Sequence, residues 1–94
     1  MANNLFISYD LADPDSNYEK IAAEIEKFGT YAEVLPTLWY VRSDQSAEQV
    51  CNAIWAVMDK EKDAITVIDS SNNTAHWQNV SKEVADYFQA EWNA

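Results

Sequence analysis

The chain has little of several features that mark specialised classes of protein. One glycine and two prolines among 94 residues argue against flexible linkers and low-complexity segments. A single cysteine excludes an internal disulfide, and the first residues carry neither a basic segment nor a long apolar run, so we expect no signal peptide. No stretch approaches the length of a membrane span. We therefore expect one cytoplasmic domain over residues 1–94, with no membrane partner.

Basic residues are also scarce. Six Lys and Arg stand against sixteen Asp and Glu, and the formal charge is −10. A phosphate backbone is held by clustered basic side chains, whereas these are scattered along the chain, so the charge disfavours a nucleic-acid partner. The simplest interpretation of this negative charge is that it keeps the protein soluble. The alternative is an acidic inhibitor that mimics a nucleic acid and binds a protein that handles one.

Apolar and aromatic residues are plentiful by contrast. The chain is 48% hydrophobic and contains four tryptophans, five tyrosines and three phenylalanines. A domain of this size cannot easily bury so much aromatic area, so part of it is expected at a surface for self-association. The tryptophans suited to that surface are Trp39, Trp55, Trp77 and Trp92. This favours a homodimer.

Residue patterns in the first third of the chain predict a strand and a helix. An apolar run ends in a carboxylate at Asp10, as in a strand that stops at the end of a sheet. Asp15 or Ser16 is expected to cap the helix that follows. Its apolar residues share one face (Tyr18, Ile21, Ala22, Ile25 and Phe28), and Gly29 suits the left-handed residue that ends a helix.

The residue patterns in the rest of the chain predict three further strands and two helices. Strands are expected over 30–35, 38–43 and 64–69, with the first two joined by a turn at Pro36 and Thr37. A second helix should begin at Ser46, which has the spacing of a capping box with Gln49, and run to about Met58. Residues 70–79 are expected to form a polar loop, and residues 80–92 a last helix.

This order of elements predicts an α+β protein with a ferredoxin-like βαββαβ fold and an extra C-terminal helix. Right-handed crossovers then give an antiparallel sheet of strand order 4-1-3-2, with the first two helices on one face. The other face must be covered by the last helix or by a second copy of the chain. The topology places Asp10 and Asp63 at one end of the sheet and Asp69 at the opposite end.

Asp10 is the candidate site residue, as a metal ligand or catalytic acid. The competing interpretation is a strand-terminal carboxylate that caps the next turn, where aspartate is common. One carboxylate is a poor Mg²⁺ site, so a metal would need Asp63 or the Asp10 of a second subunit as well. Cys51 and His76 have no partners at a recognisable spacing, so Cys51 is expected to be an inert, partly buried thiol and His76 a solvated residue of a polar loop.

Several local motifs match a known family. Tyr9-Asp10-Leu11 closes the first strand, Phe28-Gly29 closes the helix, Thr37-Leu38-Trp39 opens the third strand, and an acidic turn at 59–63 leads into the fourth. Over residues 4–70 the chain resembles the CRISPR-associated protein two family, the spacer-acquisition subunit, and the related virulence-associated D ribonucleases.

The resemblance implies a symmetric dimer packed through sheet faces. In nuclease members the two strand-one aspartates share a divalent metal, so it also implies a Mg²⁺- or Mn²⁺-dependent endoribonuclease using Asp10 from each subunit. In this chain Asp13-Pro14-Asp15 stands where the family has basic residues, which removes affinity for a polynucleotide. We therefore favour a non-catalytic binding or regulatory protein without a cofactor, acting through an unidentified protein partner. Mg²⁺ or Mn²⁺ enters only if the chain is a nuclease.

Overall fold

A computed structural model describes residues 2–92 and contains five strands and three helices. The elements follow the order βαββαββα. Their bounds are β1 Asn3–Asp10, α1 Pro14–Glu26, β2 Thr30–Leu35, β3 Leu38–Ser43, α2 Ala47–Trp55, β4 Ala64–Asp69, β5 Thr74–Gln78 and α3 Lys82–Glu91. The predicted α+β class is confirmed. Within the described residues, no helix is long and apolar enough to cross a membrane.

All five strands belong to one antiparallel sheet of order β2-β3-β1-β4-β5. β1 is the central strand and pairs with β3 on one side and with β4 on the other. The complete sheet therefore differs from the predicted four-strand order 4-1-3-2, because a fifth strand extends it beyond β4. The prediction of a polar loop over 70–79 is wrong for the second half of this segment, where β5 forms.

A tight turn after β4 explains the extra strand. The Asp69 carboxylate accepts hydrogen bonds from the backbone N–H groups of Ser71 and Asn72, at 2.9 and 3.1 Å, and so folds the chain back. Asn73 then takes a positive φ of 56°, a conformation that asparagine tolerates better than most residues. The polar sequence of 70–73 is thus the turn of a hairpin.

The core lies between one face of the sheet and helices α1 and α2. Alternate residues of β1 (Leu5, Ile7 and Tyr9) are buried on this face, as the two-residue period of a strand requires. Val41, Ile65 and Val67 extend the buried surface across the neighbouring strands, and the helices cover it with Ile21, Ile25, Val50 and Ile54. Trp39, expected at a self-association surface, is instead only 4% exposed in this core.

The sequence predicted the start of α2 correctly but placed the start of α1 too late. At α2 both hydrogen bonds of the Ser46–Gln49 capping box are present, which confirms that prediction. At α1 the N-cap is Asp13, so Asp15 and Ser16 lie inside the helix rather than capping it. Pro14 accounts for the earlier start, because its fixed φ suits the first helical position and it lacks an N–H that would be unpaired there.

Gly29 has a different role from the predicted one. α1 ends at Glu26 with a right-handed C-cap at Lys27, and Gly29 follows with φ of +150°. A side chain at this position would clash with the carbonyl oxygen of Arg42 on β3. Glycine therefore allows the chain entering β2 to pass close to β3.

The last helix packs on the other side of the sheet, at β5. Phe88 lies against Trp77 with ring centroids 4.8 Å apart, and Trp92 meets Phe88 edge-on at 5.9 Å. The indole N–H of Trp92 also donates to the carbonyl oxygen of Asn73 at 2.8 Å. No residue of α3 is buried, so this helix covers one edge of the sheet rather than the whole face.

We predict that Gly29→Ala destabilises the protein by about 3 kcal/mol, because it adds a steric clash to an unfavourable φ. Urea unfolding followed by tryptophan fluorescence measures this change. The control is Ala23→Gly at an exposed position of α1, which should cost only about 1 kcal/mol. A smaller loss for Gly29→Ala than for the control would contradict the close approach to β3.

Candidate functional site

Asp10 is the last residue of β1, and its side chain is exposed. It pairs across the sheet with Ala64, while the backbone N–H of the preceding Tyr9 donates to the carbonyl oxygen of Thr37 at 3.2 Å. Asp10 therefore lies at the same end of the sheet as Asp63 and the β2–β3 turn. Asp69 pairs with Leu5 at the opposite end, as the predicted topology requires.

Asp63 is fully buried and joins three segments of the chain. Its carboxylate accepts hydrogen bonds from the backbone N–H of Ala12 at 2.9 Å, the backbone N–H of Asp59 at 2.9 Å and the side-chain amide of Asn17 at 2.7 Å. Burial alone would raise the pKa of this carboxyl group, but the three hydrogen bonds outweigh burial and hold the pKa below its ordinary value.

The two predicted metal ligands, Asp10 and Asp63, lie on opposite sides of the sheet. Alternation along β1 puts Tyr9 on the helix side of the sheet and Asp10 on the other side, whereas Asp63 bonds to Asn17 of α1 on the helix side. A metal on Asp63 would have to displace hydrogen bonds that hold the fold together. Among residues 2–92, no group of three or more His, Cys, Asp or Glu side chains is placed to hold a metal ion. A metal at Asp10 and Asp63 stays a prediction.

The sheet surface opposite α1 and α2 is here called the open face. Its central residues pair in two rows across β3, β1 and β4: Tyr40, Phe6 and Ile68 in one row, and Leu38, Ser8 and Thr66 in the other. The rings of Phe6 and Tyr40 lie 5.5 Å apart. Phe6, Leu38, Tyr40 and Ile68 are all half-buried, and Ser8 is exposed. The centre of the open face is therefore apolar and partly accessible to solvent.

The open face is almost free of charge. Among its described strand residues only Asp10 and Arg42 are charged, although the whole chain has sixteen acids. Both side chains are exposed, and neither forms a salt bridge within residues 2–92. Arg42 pairs across the sheet with Asn4 at the beginning of β1, so the two charges lie at opposite ends of the face.

Asp10 also borders a shallow cavity of about 160 Å³ on the open face. The cavity lies between the ends of β1 and β4, and Val80, just before α3, closes one side. Ser8 and Thr66 are the other polar side chains at its wall. The depression is large enough for a few water molecules or a small ion and places Asp10 where a ligand could reach it.

A hydrogen-bonded group of aromatic residues, absent from the sequence predictions, lies on the helix side beneath Asp10. The indole N–H of Trp39 donates to the Tyr9 hydroxyl at 2.9 Å, and that hydroxyl donates to the carbonyl oxygen of Pro36 at 3.0 Å. Nearby, the Tyr18 hydroxyl donates to the Glu33 carboxylate at 2.8 Å, which raises the pKa of Tyr18 to about 12. These bonds stabilise the end of the sheet at which Asp10 lies.

The other reactive side chains are placed apart from this end. Cys51 is fully buried in α2, and burial raises the pKa of its thiol to about 12, so it is protonated at neutral pH. His76 lies half-buried on β5 and pairs with Val67 on the helix side. The structure brings neither residue together with Asp10.

The fold and this surface define an α+β protein with a five-stranded antiparallel sheet that is covered by two helices on one face and by one helix at the edge of the other. No known protein-family model matches the chain, and no curated protein sequence matches it.

We predict that Asp63→Asn destabilises the protein by about 2–4 kcal/mol at neutral pH, because the amide group cannot accept all three hydrogen bonds. The pKa of Asp63 is lower in the folded state than in the unfolded state. Its contribution to the free energy of unfolding is therefore fully present above the unfolded-state pKa and is lost as the pH falls through the folded-state pKa. The stability of the parent protein should therefore fall below about pH 4.

Urea unfolding between pH 7 and pH 3 measures both effects. Asp63→Asn should flatten the acid part of the stability curve, whereas Glu19→Gln at an exposed position of α1 should leave it unchanged. If the free energy of unfolding of Asp63→Asn fell as steeply at low pH as that of the parent protein, other carboxylates would be responsible for the fall.

Proposed function

We propose that this chain is a small dimeric binding protein of the cytoplasm, built on a ferredoxin-like module, that pairs through its open face and acts by contacting another protein. The observation that carries the proposal is the open face itself. A chain of charge −10 leaves one sheet surface nearly uncharged and places Phe6, Tyr40 and Ile68 in a row at its centre. Charge depletion around aromatic and aliphatic residues is typical of the buried core of an interface.

The incomplete cover of this face supports a second copy as its occupant. α3 packs on Trp77 at the β5 edge and buries none of its own residues, and the apolar residues in the rows across β3, β1 and β4 are only half-buried. A dimer formed through these rows would cover the half-buried aromatic surface of both subunits. The resemblance of the sequence to the CRISPR-associated protein two family is consistent with such pairing.

The oligomeric state tests the proposal. In sedimentation equilibrium we expect a mass of twice 10.7 kDa for the parent protein, and the single-chain mass for Ile68→Glu, because the new carboxylate would be buried at the interface. Asn52→Glu, which adds the same charge at an exposed position of α2, is the matched control and should remain dimeric. A parent protein that is monomeric at micromolar concentration would overturn the proposal.

A metal-dependent endoribonuclease is the second candidate, and one observation favours it. Asp10 is exposed on the open face beside a shallow cavity, where a second subunit could bring another Asp10 close to it. Two carboxylates at such a position would bind Mg²⁺ or Mn²⁺, and the metal could polarise a phosphodiester. This candidate uses the same dimer but assigns Asp10 a chemical role.

RNA cleavage distinguishes the two candidates. For the binding protein we expect no cleavage of a labelled RNA in Mn²⁺ beyond that in a sample without protein. The nuclease predicts cleavage that falls about a hundredfold or more in Asp10→Asn, because the metal ligand is lost. Asp15→Asn, at an exposed position of α1, controls for the loss of one negative charge.

A further inference from the structure

A second cavity lies at the Asp10 end of the sheet, between the start of α1 and the β2–β3 turn. It has a volume of about 220 Å³ and is here called the end cavity. Its wall is mostly apolar and is formed by Tyr9, Leu11, Pro14, Tyr18 and Pro36. Thr37 and Asp10 complete the lining, so Asp10 borders both this cavity and the smaller one on the open face.

Hydrogen bonds within the fold hold the wall of the end cavity in place. The Tyr9 hydroxyl donates to the carbonyl oxygen of Pro36 at 3.0 Å, and the Tyr9 backbone N–H donates to that of Thr37 at 3.2 Å, so the β2–β3 turn is tied to β1. The Tyr18 hydroxyl donates to the Glu33 carboxylate at 2.8 Å and thereby fixes its ring. A ligand would therefore enter a preformed cavity and would not have to order its walls.

The end cavity has negative charge at its rim and no positive charge. Asp10 is the only carboxylate of the lining, and its exposed side chain forms no salt bridge within residues 2–92. Two further exposed carboxylates, Asp13 and Asp15, flank Pro14 at the start of α1. No Lys or Arg of the described chain lines the cavity, and Arg42 lies at the opposite end of the sheet. The cavity is thus complementary to a cation.

Apolar walls below an unpaired carboxylate fit a cation that has an apolar stem. The methylene groups of an arginine side chain would pack against Leu11 and Pro14, as such stems do on apolar surfaces. Its planar guanidinium group would stack on the ring of Tyr18 and donate two parallel hydrogen bonds to the Asp10 carboxylate. A bare metal ion would make no use of these walls, and the chain charge of −10 disfavours an anion.

We propose that the end cavity binds an exposed arginine side chain of the protein partner, with Asp10 as the acceptor of its guanidinium group. This inference rests on the proposed binding function and deepens it by naming the chemistry of the partner. The end cavity lies beyond the row of Tyr40, Phe6 and Ile68, which forms the centre of the proposed dimer interface. Binding of the partner and pairing of two copies therefore use different surfaces.

NMR titration of ¹⁵N-labelled protein with N-acetyl-arginine N-methylamide tests the proposal. At a constant ionic strength of about 0.1 M, we expect the backbone amide signals of Leu11, Tyr18 and Thr37 to shift and saturate, with a dissociation constant of about 1 mM. The citrulline analogue has the same shape without the charge and should bind about tenfold more weakly or less. Guanidinium chloride lacks the stem and should give no saturable shift at these residues.

Variants assign the binding to the end cavity. Asp10→Asn should weaken binding of the arginine probe about tenfold or more, because the charged acceptor is lost. Asp15→Asn removes the same charge at an exposed position of α1 and should leave the dissociation constant unchanged within about threefold. Thr37→Arg should abolish binding, because the new side chain would occupy the cavity from the exposed turn. The dispersion of the amide signals shows that each variant is folded.

Three results would overturn the inference: no saturable shift up to about 20 mM probe, a citrulline analogue that binds as tightly as the arginine probe, or an Asp10→Asn variant that binds like the parent protein. None of them affects the mass measured by sedimentation equilibrium, so a failure of the arginine site is distinguishable from a failure of the proposed dimer. A monomeric parent protein that binds the arginine probe as expected would overturn the dimer alone.

Discussion

The pairing of β1 with two neighbours is the constraint on which the rest of the structure depends. Because β1 is hydrogen-bonded to β3 and to β4, its register determines which residues of three strands share a face. Leu5, Ile7 and Tyr9 point to one side of the sheet and pack in the core beneath α1 and α2. Because side chains alternate along a strand, Phe6, Ser8 and Asp10 lie on the other side. A slip of one residue would exchange the core with the open face.

The two carboxylates at one end of this sheet contribute in different ways. Asp63 is buried and accepts hydrogen bonds from the loop before α1, from α1 and from the turn before β4, so it stabilises the junction of these segments. Asp10 is exposed on the far side, and its carboxylate accepts no such hydrogen bond from any residue between 2 and 92. Evolution of a site at Asp10 would therefore leave the fold intact, whereas any change at Asp63 would alter the junction itself.

Much of the fold could be predicted because local signals and tertiary structure agree. The alternating and continuous apolar runs predict β2, β3 and β4 with the observed bounds, and the Ser46–Gln49 spacing predicts the capping box of α2. β5 could not be predicted in the same way. Its polar sequence becomes a strand only because the Asp69 turn brings it beside the edge of β4, where backbone hydrogen bonds are available.

The sequence by itself determined the α+β class, the order of the first six elements and the position of Asp10 at a strand end, because each depends on residue periodicity or on turn and cap chemistry within a few positions. Only the tertiary structure decided that Trp39 belongs to the core, that Gly29 serves a close approach to β3, and that Asp10 and Asp63 act on opposite sides of the sheet. It also decided that a highly acidic chain keeps one sheet face nearly neutral. These features depend on residues distant in sequence, which meet only when the strands pair.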